Sequence, residues 1–253
     1  MRYSLLTFYF LFLPFLISCN DSPKSKLTIA TSANMKFAME ELISSFEKEN
    51  GIECEMILGS SGKLTAQIKE HAPFDIFVSA DLKYPEELYR SGFSESEVII
   101  YAYGKLILLS VKKNIIPDLN DLNRKEIRHI ALGNPKTAPY GTAAMEVLKK
   151  KKLFSDLKDK LVYGESVSQV NQFILSGVAE AGFTAKSVTM SPNVKEEGNW
   201  IEIAPELYQP IAQGFIILNN RKDHLKEAQI FQKYLLSEKG KEILNKFGYR
   251  LPD

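Results

Sequence analysis

The residues best suited to chemistry lie in three short turns near the start of the chain. In KLTIATSANMKFAMEEL, CEMILGSSGKLTAQI and DIFVSADLKYPEEL, an apolar run stops at small uncharged polar residues and a helical pattern begins. Each turn offers hydroxyl or amide side chains from Thr31, Ser32, Asn34, Ser60, Ser61 and Ser79, beside backbone N–H groups at a helix start. Such N–H groups have no intrahelical acceptor and sit at the positive end of the helix dipole, so they favour an anion. One such turn is ordinary. Three of them, converging on one edge of a sheet, predict a pocket for a small oxyanion.

Other chemistries find little support. Ser60 and Ser61 sit in GSSGKL, which matches neither G-x-S-x-G nor S-x-x-K and lacks the Walker spacing. His71, His129 and His224 are scattered, with no H-E-x-x-H, so none is assigned to catalysis or to a metal. Glu40-Glu41 and Glu86-Glu87 read as solvated helix faces. The chain is therefore expected not to be an enzyme and to need no cofactor.

Elements that could hold the three turns alternate along the sequence. Strand signals (27–30, 53–58, 76–79) alternate with helix signals (36–50, 62–71, 85–91), and Gly51 closes the first helix. Beyond Tyr101-Ala102-Tyr103-Gly104 the run Leu106–Val111 opens a second series. It has strands at 130–132, 161–163, 181–185 and 200–204 and helices at 141–151 and 168–176. A strand at 215–218 and helices at 225–236 and 238–247 then return to the first series. Strands joined by helices over short connections predict an α/β fold with mainly parallel sheets. Two crossings, near 102–105 and 208–214, imply two hinged lobes: 27–103 plus 213–253, and 104–212.

The N-terminus sets the compartment. Arg2 precedes an apolar stretch from Tyr3 to Ser18, too short to span a membrane, whose end with the next residue reads Leu16-Ile17-Ser18-Cys19. This ending resembles the bacterial lipobox, which implies a signal peptide at 1–18, lipid on Cys19, and a tether at 19–26. The expected protein is exported and lipid-anchored at the cell envelope. Cys54 is the only other cysteine, so no disulfide framework forms, and its strand predicts a buried small hydrophobe. The sequence has 32 basic and 31 acidic residues; loss of Arg2 with residues 1–18 leaves the counts equal. No global field draws nucleic acid, and Lys149–Lys152 reads as a helix end where cations suit the dipole.

The most specific motif is GNPKTAPYG, residues 133–141, where a strand ends in a turn carrying Asn134, Thr137 and Tyr140. With TSAN, GSSGKL and FDIFVSAD in this order, and the closing FGYRLP, the chain from about residue 27 onward resembles the molybdate-binding proteins of bacterial molybdate ABC transporters. The resemblance implies the two-lobed periplasmic binding-protein clamshell of type II. It implies ligand contacts at Asn34, Ser61, the Ala80 N–H, Tyr140 and the Val167 N–H. Ala33 stands where some members carry a hydroxyl, a donor that Ser32 could replace. Ala185 stands where other members carry the tyrosine, which the turn of this chain supplies instead. The implied partners are molybdate, tungstate, and a permease with its ATPase; the protein is expected to act as a monomer. Sulfate, a phosphonate or ferric ion on the same clamshell are the alternative solutes, with a surface-anchored hydrolase a more distant one. Protonated oxyanions would need an acceptor, for which Asp75 and Asp81 are nearest; Asp81 is read as a cap for the next helix.

Overall fold

The computed structural model describes residues 26–191, 194 and 198–252. The signal peptide, Cys19 and the tether up to residue 25 lie outside these described residues. The first strands and helices follow in strict alternation: β1 (Leu27–Ser32), α1 (Lys36–Asn50), β2 (Cys54–Gly59), α2 (Ser61–Lys69), β3 (Ile76–Val78) and α3 (Lys83–Arg90). Then β4 (Ile99–Gly104) leads through a single residue, Lys105, into β5 (Leu106–Ser110). The second series has β6 (Ile130–Gly133), α4 (Pro139–Lys150), α5 (Phe154–Leu157), β7 (Leu161–Gly164), α6 (Val167–Leu175), β8 (Ala181–Ala185) and β9 (Asn199–Glu202). The chain closes with β10 (Ile211–Ile217), α7 (Leu225–Leu235) and α8 (Glu238–Lys246).

The strands form two five-stranded sheets, ordered β2-β1-β3-β10-β4 and β7-β6-β8-β5-β9. In each sheet the first three strands are mutually parallel, the fourth is antiparallel, and the fifth is antiparallel to the fourth. Four of five strands therefore share a direction. The reversed strand is β10 in one sheet and β5 in the other. Each of these has just arrived from the opposite sheet, which is why it runs backwards and why the strands are not all parallel. This is the two-lobed α/β architecture that the alternation and the two crossings predict, and it fits the clamshell that the resemblance implies.

Both sheets are covered on both faces, so their strands read as continuous apolar runs. Alternate residues of β5 serve the two sides: Leu106 and Leu108 pack with α4, and Ile107 and Leu109 with α6. In the first sheet Leu27 and Ile29 pack beneath α1, α7 and α8, whereas Ala30 and Phe77 meet Leu64 and Leu88 from α2 and α3. Gly51 ends α1 in the left-handed region at φ 65°, where a residue without Cβ is favoured. Cys54 is half-buried on edge strand β2, and burial pushes its thiol up to about 12, so it is an unreactive packing residue.

Candidate functional site

The three polar turns meet at the C-terminal edge of the first sheet. Ser32 ends β1, Ser61 begins α2, and Ala80 follows β3. The Ser32 and Ser61 Oγ atoms are 2.7 Å apart, and the Ala80 N–H donates to both, at 3.1 and 3.0 Å. All three residues are buried to within 2 % of complete exclusion from solvent. The serine pair of GSSG divides its labour. The Ser60 Oγ caps α2 by accepting from the Lys63 N–H at 3.4 Å, which leaves the Ser61 hydroxyl free of capping duty.

The second sheet brings its own turns to the same place. Tyr140 stands in the first turn of α4, which opens on Pro139, a residue suited to the first helical position. Val167 is the first residue of α6, with Ser166 as its cap accepting from the Gln169 N–H at 3.4 Å. The Val167 N–H is thus one of the helix-start donors without an intrahelical acceptor. Ser32, Ala33, Asn34, Ser61, Ala80, Tyr140 and Val167 line one small cavity of about 190 Å³ of non-atom space, together with Gly59, Ser60, Ala138 and Pro139. None of these lining residues bears a formal charge. A larger cavity, about 760 Å³, opens elsewhere beside Glu53, Asp223 and Glu227, a lining hostile to an anion.

Several hydrogen bonds fasten the lobes around the cavity. The Gly62 N–H donates to the Thr137 carbonyl at 3.0 Å, and the Tyr84 hydroxyl to the Lys136 carbonyl at 3.0 Å. Both grip the turn that Asn134 shapes by accepting from the Lys136 N–H at 3.0 Å. Ser187 of the second lobe donates to the Asn34 carbonyl at 2.6 Å.

Not every polar residue of the turns reaches the cavity. The Thr31 hydroxyl bonds back to the Ile29 carbonyl at 3.4 Å, and the Ser79 hydroxyl donates to Asp81 at 3.0 Å. Asp81 accepts weakly from the Tyr84 N–H at 3.4 Å, which makes it a cap for α3, and burial pushes its carboxyl up to about 6. Asp75 lies at the opposite end of β3, where it accepts from the Thr28 N–H at 2.6 Å and pairs with His224 at 3.0 Å. His224 is buried with it. Neither carboxylate lines the cavity.

Sequence reasoning missed what stands behind the cavity. Gln213 of β10, fully buried, accepts from the Asn34 Nδ2 at 3.0 Å and the Tyr101 hydroxyl at 2.6 Å, and its Nε2 donates to the Tyr140 hydroxyl at 3.3 Å. Tyr249, in the closing FGYRLP, accepts from the Asn34 Nδ2 at 3.1 Å and donates to the Asn34 carbonyl at 2.9 Å. The Asn34 side chain is therefore committed to this network, leaving its backbone N–H to the cavity. The visible signal was a lone glutamine inside the apolar run IAQGFII. Burial holds the Tyr101 and Tyr140 phenols well above their ordinary range, so both keep their protons at neutral pH.

Two lobes that enclose a small, uncharged, donor-lined cavity beside a pair of crossing strands define a solute-binding protein. Residues 27–250 match the family of bacterial extracellular solute-binding proteins. The chain is 36 % identical to "Molybdate-binding protein ModA" of Azotobacter vinelandii over 238 residues, covering 93 % of this chain and 94 % of that one. It is 33 % identical to the protein of that name from Rhodobacter capsulatus, covering 87 % and 86 %. Its fold superposes on the structure of the Azotobacter vinelandii periplasmic molybdate-binding protein with a TM-score of 0.85 and 32 % identity, over 90 % of this chain and all of that one. The chain belongs to the bacterial extracellular solute-binding protein family, in the group of these molybdate-binding proteins.

Proposed function

We propose that the protein captures molybdate, and tungstate equally, between its lobes and delivers it to the permease of an ABC importer. The observation that carries this reading is the donor set around the cavity: the Ser32, Ser61 and Tyr140 hydroxyls with the Asn34 and Val167 N–H groups, the serine pair being held by the Ala80 N–H, and no carboxylate or cation among the described residues of the wall. A tetrahedral dianion offers lone pairs on every oxygen and no proton at neutral pH. A wall made of donors satisfies it, and charge-assisted bonds of this kind are short and strong. Hydrogen phosphate brings a proton that asks for a strong acceptor, and the wall offers no carboxylate to take it. Sulfate has the right charge but shorter bonds, so size rather than charge excludes it. The Ser32 hydroxyl supplies the donor that Ala33 cannot.

The lobes are taken as residues 27–103 plus 213–253 and 104–212, joined by the Lys105 connection and the segment before β10. Lipid on Cys19 would hold this monomer at the envelope, as the sequence implies, near the permease whose ATPase drives import.

Thermal unfolding of the purified protein with molybdate, tungstate, sulfate and phosphate tests the reading. Ligand at about 1,000 times its dissociation constant adds about 4 kcal/mol. For a protein of this size that is a rise of about 8–16 °C in midpoint. Rises with molybdate and tungstate alone are expected; an equal rise with sulfate would remove the size argument, and none with any of the four would remove the oxyanion.

A further inference from the structure

We infer that Gln213 is a positioning residue that makes Tyr140 a pure hydrogen-bond donor toward the anion; this rests on the oxyanion reading above. The argument is an account of protons. A tyrosine hydroxyl has one proton and lone pairs, so it can donate to a ligand only if neighbours do not take that proton. The Gln213 Oε1 faces two donors, the Asn34 Nδ2 at 3.0 Å and the Tyr101 hydroxyl at 2.6 Å, which is much nearer than that hydroxyl's other acceptor, the Ser79 carbonyl at 3.2 Å. These fix the amide with its Nε2 toward Tyr140, where it donates to the phenol oxygen at 3.3 Å. The second Asn34 Nδ2 proton goes to the Tyr249 hydroxyl, whose own proton goes to the Asn34 carbonyl. Reversing both amides would turn the Asn34 NH₂ into the site where its Oδ1 now lacks a partner. A buried unpaired NH₂ is the costlier orphan, because under-satisfied carbonyls are tolerated more often than unpaired N–H groups. The Tyr140 proton is thereby left for the cavity that the residue lines.

The backbone is shaped to this contact. Gly104 ends β4 at the crossing between lobes, and a Cβ there would stand 2.1 Å from the Tyr140 hydroxyl and 2.5 Å from the Gln213 Nε2. Only glycine leaves the pair its room. Gln213 itself lies on the other crossing strand, so the orientation of the donor from the second lobe is set by the hinge and by Asn34 and Tyr101 of the first.

Titration calorimetry with sodium molybdate on the wild type, Gln213→Met, Tyr140→Phe and the double variant tests this. Gln213→Met is expected to weaken binding about tenfold in the wild-type background and less than about twofold in the Tyr140→Phe background, because it acts through that hydroxyl. Gln213→Glu should weaken it further, since a carboxylate would draw the Tyr140 proton to itself. Equal losses from Gln213→Met in both backgrounds, or wild-type affinity in Gln213→Glu, would overturn the inference while leaving the oxyanion reading intact. No binding of molybdate, tungstate or sulfate by the wild type would overturn both. Should the methionine variant not fold, Gly104→Ala presses on the same contact from the backbone and should reproduce the loss seen in Tyr140→Phe; wild-type affinity there would count against the inference.

Discussion

The two lobes follow one plan but equip the cavity differently, and the contrast is sharpest at their second turns. In the first lobe Gly59-Ser60-Ser61 leads from β2 into α2; in the second, Gly164-Glu165-Ser166-Val167 leads from β7 into α6. Ser60 and Ser166 do the same work, each capping its helix through an oxygen 3.4 Å from the N–H three residues on. The next residue is a serine in one case and a valine in the other. One lobe therefore adds a side-chain hydroxyl and the other only a backbone N–H, with the Val167 side chain joining the core. A cap residue followed by a free first helical position is a general socket, and the chemistry it presents depends on that single side chain.

The largest expected effect comes from emptying both sockets. Ser61→Ala removes the hydroxyl, whereas Val167→Pro removes the N–H and reshapes one core side chain, at a helical position that accepts proline. A hydrogen bond to a charged partner contributes about 1.5–3 kcal/mol, so each variant should bind molybdate about 10- to 100-fold more weakly. The double variant should lose about the sum, near 3–6 kcal/mol, if the two donors act independently. Calorimetric titration checks this, with unfolding midpoints measured without ligand to confirm the fold. An unchanged affinity in Val167→Pro would break the symmetry argument and leave the second lobe with Tyr140 alone.

The third turns differ too. After β8, Ser187 is spent on holding the Asn34 carbonyl, and Lys186 is paired with Glu202 at 2.6 Å. After β3, Ala80 turns its N–H to the serines while Asp81 caps α3 with a carboxyl raised from 3.8 to about 6, chiefly by burial. A carboxylate whose folded pKa lies above its unfolded one contributes stability that is fully present below the unfolded value. That contribution is lost as pH rises through the folded value, here between about 4 and 6. Asp81→Asn keeps an oxygen for the cap and removes the titration. Relative to the wild type it should therefore gain stability as pH rises from 4 to 7, by about 2 kcal/mol at 1.36 kcal/mol per unit. Denaturant unfolding of both proteins at the two pH values measures the difference; parallel pH profiles would show that Asp81 ionises without penalty.

How much of this was legible in the sequence depends on how local the interaction is. The Lys36–Asn50 helix and the Ala181–Ala185 strand match their predicted bounds, and the ends of the other predicted elements differ by a few residues, because periodicity and capping are local signals; strand β4 (Ile99–Gly104) and the short α5 (Phe154–Leu157) were not foreseen. The small polar turns were visible for the same reason, as was Asp81 as a cap. The reversed strands were not, since direction depends on which sheet a strand enters. Nor was the network behind the cavity: Asn34 and Gln213 are 179 positions apart, and Asn34 and Tyr249 are 215 apart. Nothing in the periodicity of a strand announces that one glutamine will face three partners from distant segments. The Asp75–His224 pair, 149 positions apart, escaped for the same reason.

The smallest expected effect concerns charge at the cavity's rim, where the sockets again face one another. Lys63, in the first turn of α2, pairs with Glu165, just before α6, at 3.4 Å across the lobes. On a drawing this looks like a clasp. Both side chains are mostly exposed, at 60 % and 74 %, and an exposed pair of this kind contributes about 0–1 kcal/mol before salt screens it further. Lys63→Gln should therefore alter molybdate affinity by less than about threefold at physiological ionic strength. The half-buried Tyr84 and Gly62 contacts to the 136–137 carbonyls, which need no charge, would then carry closure at this edge. Stopped-flow binding at low and at physiological salt separates the two accounts. A large loss that vanishes with added salt would mean that Lys63 steers the anion toward the cavity, and the neutral wall would then depend on a charged approach.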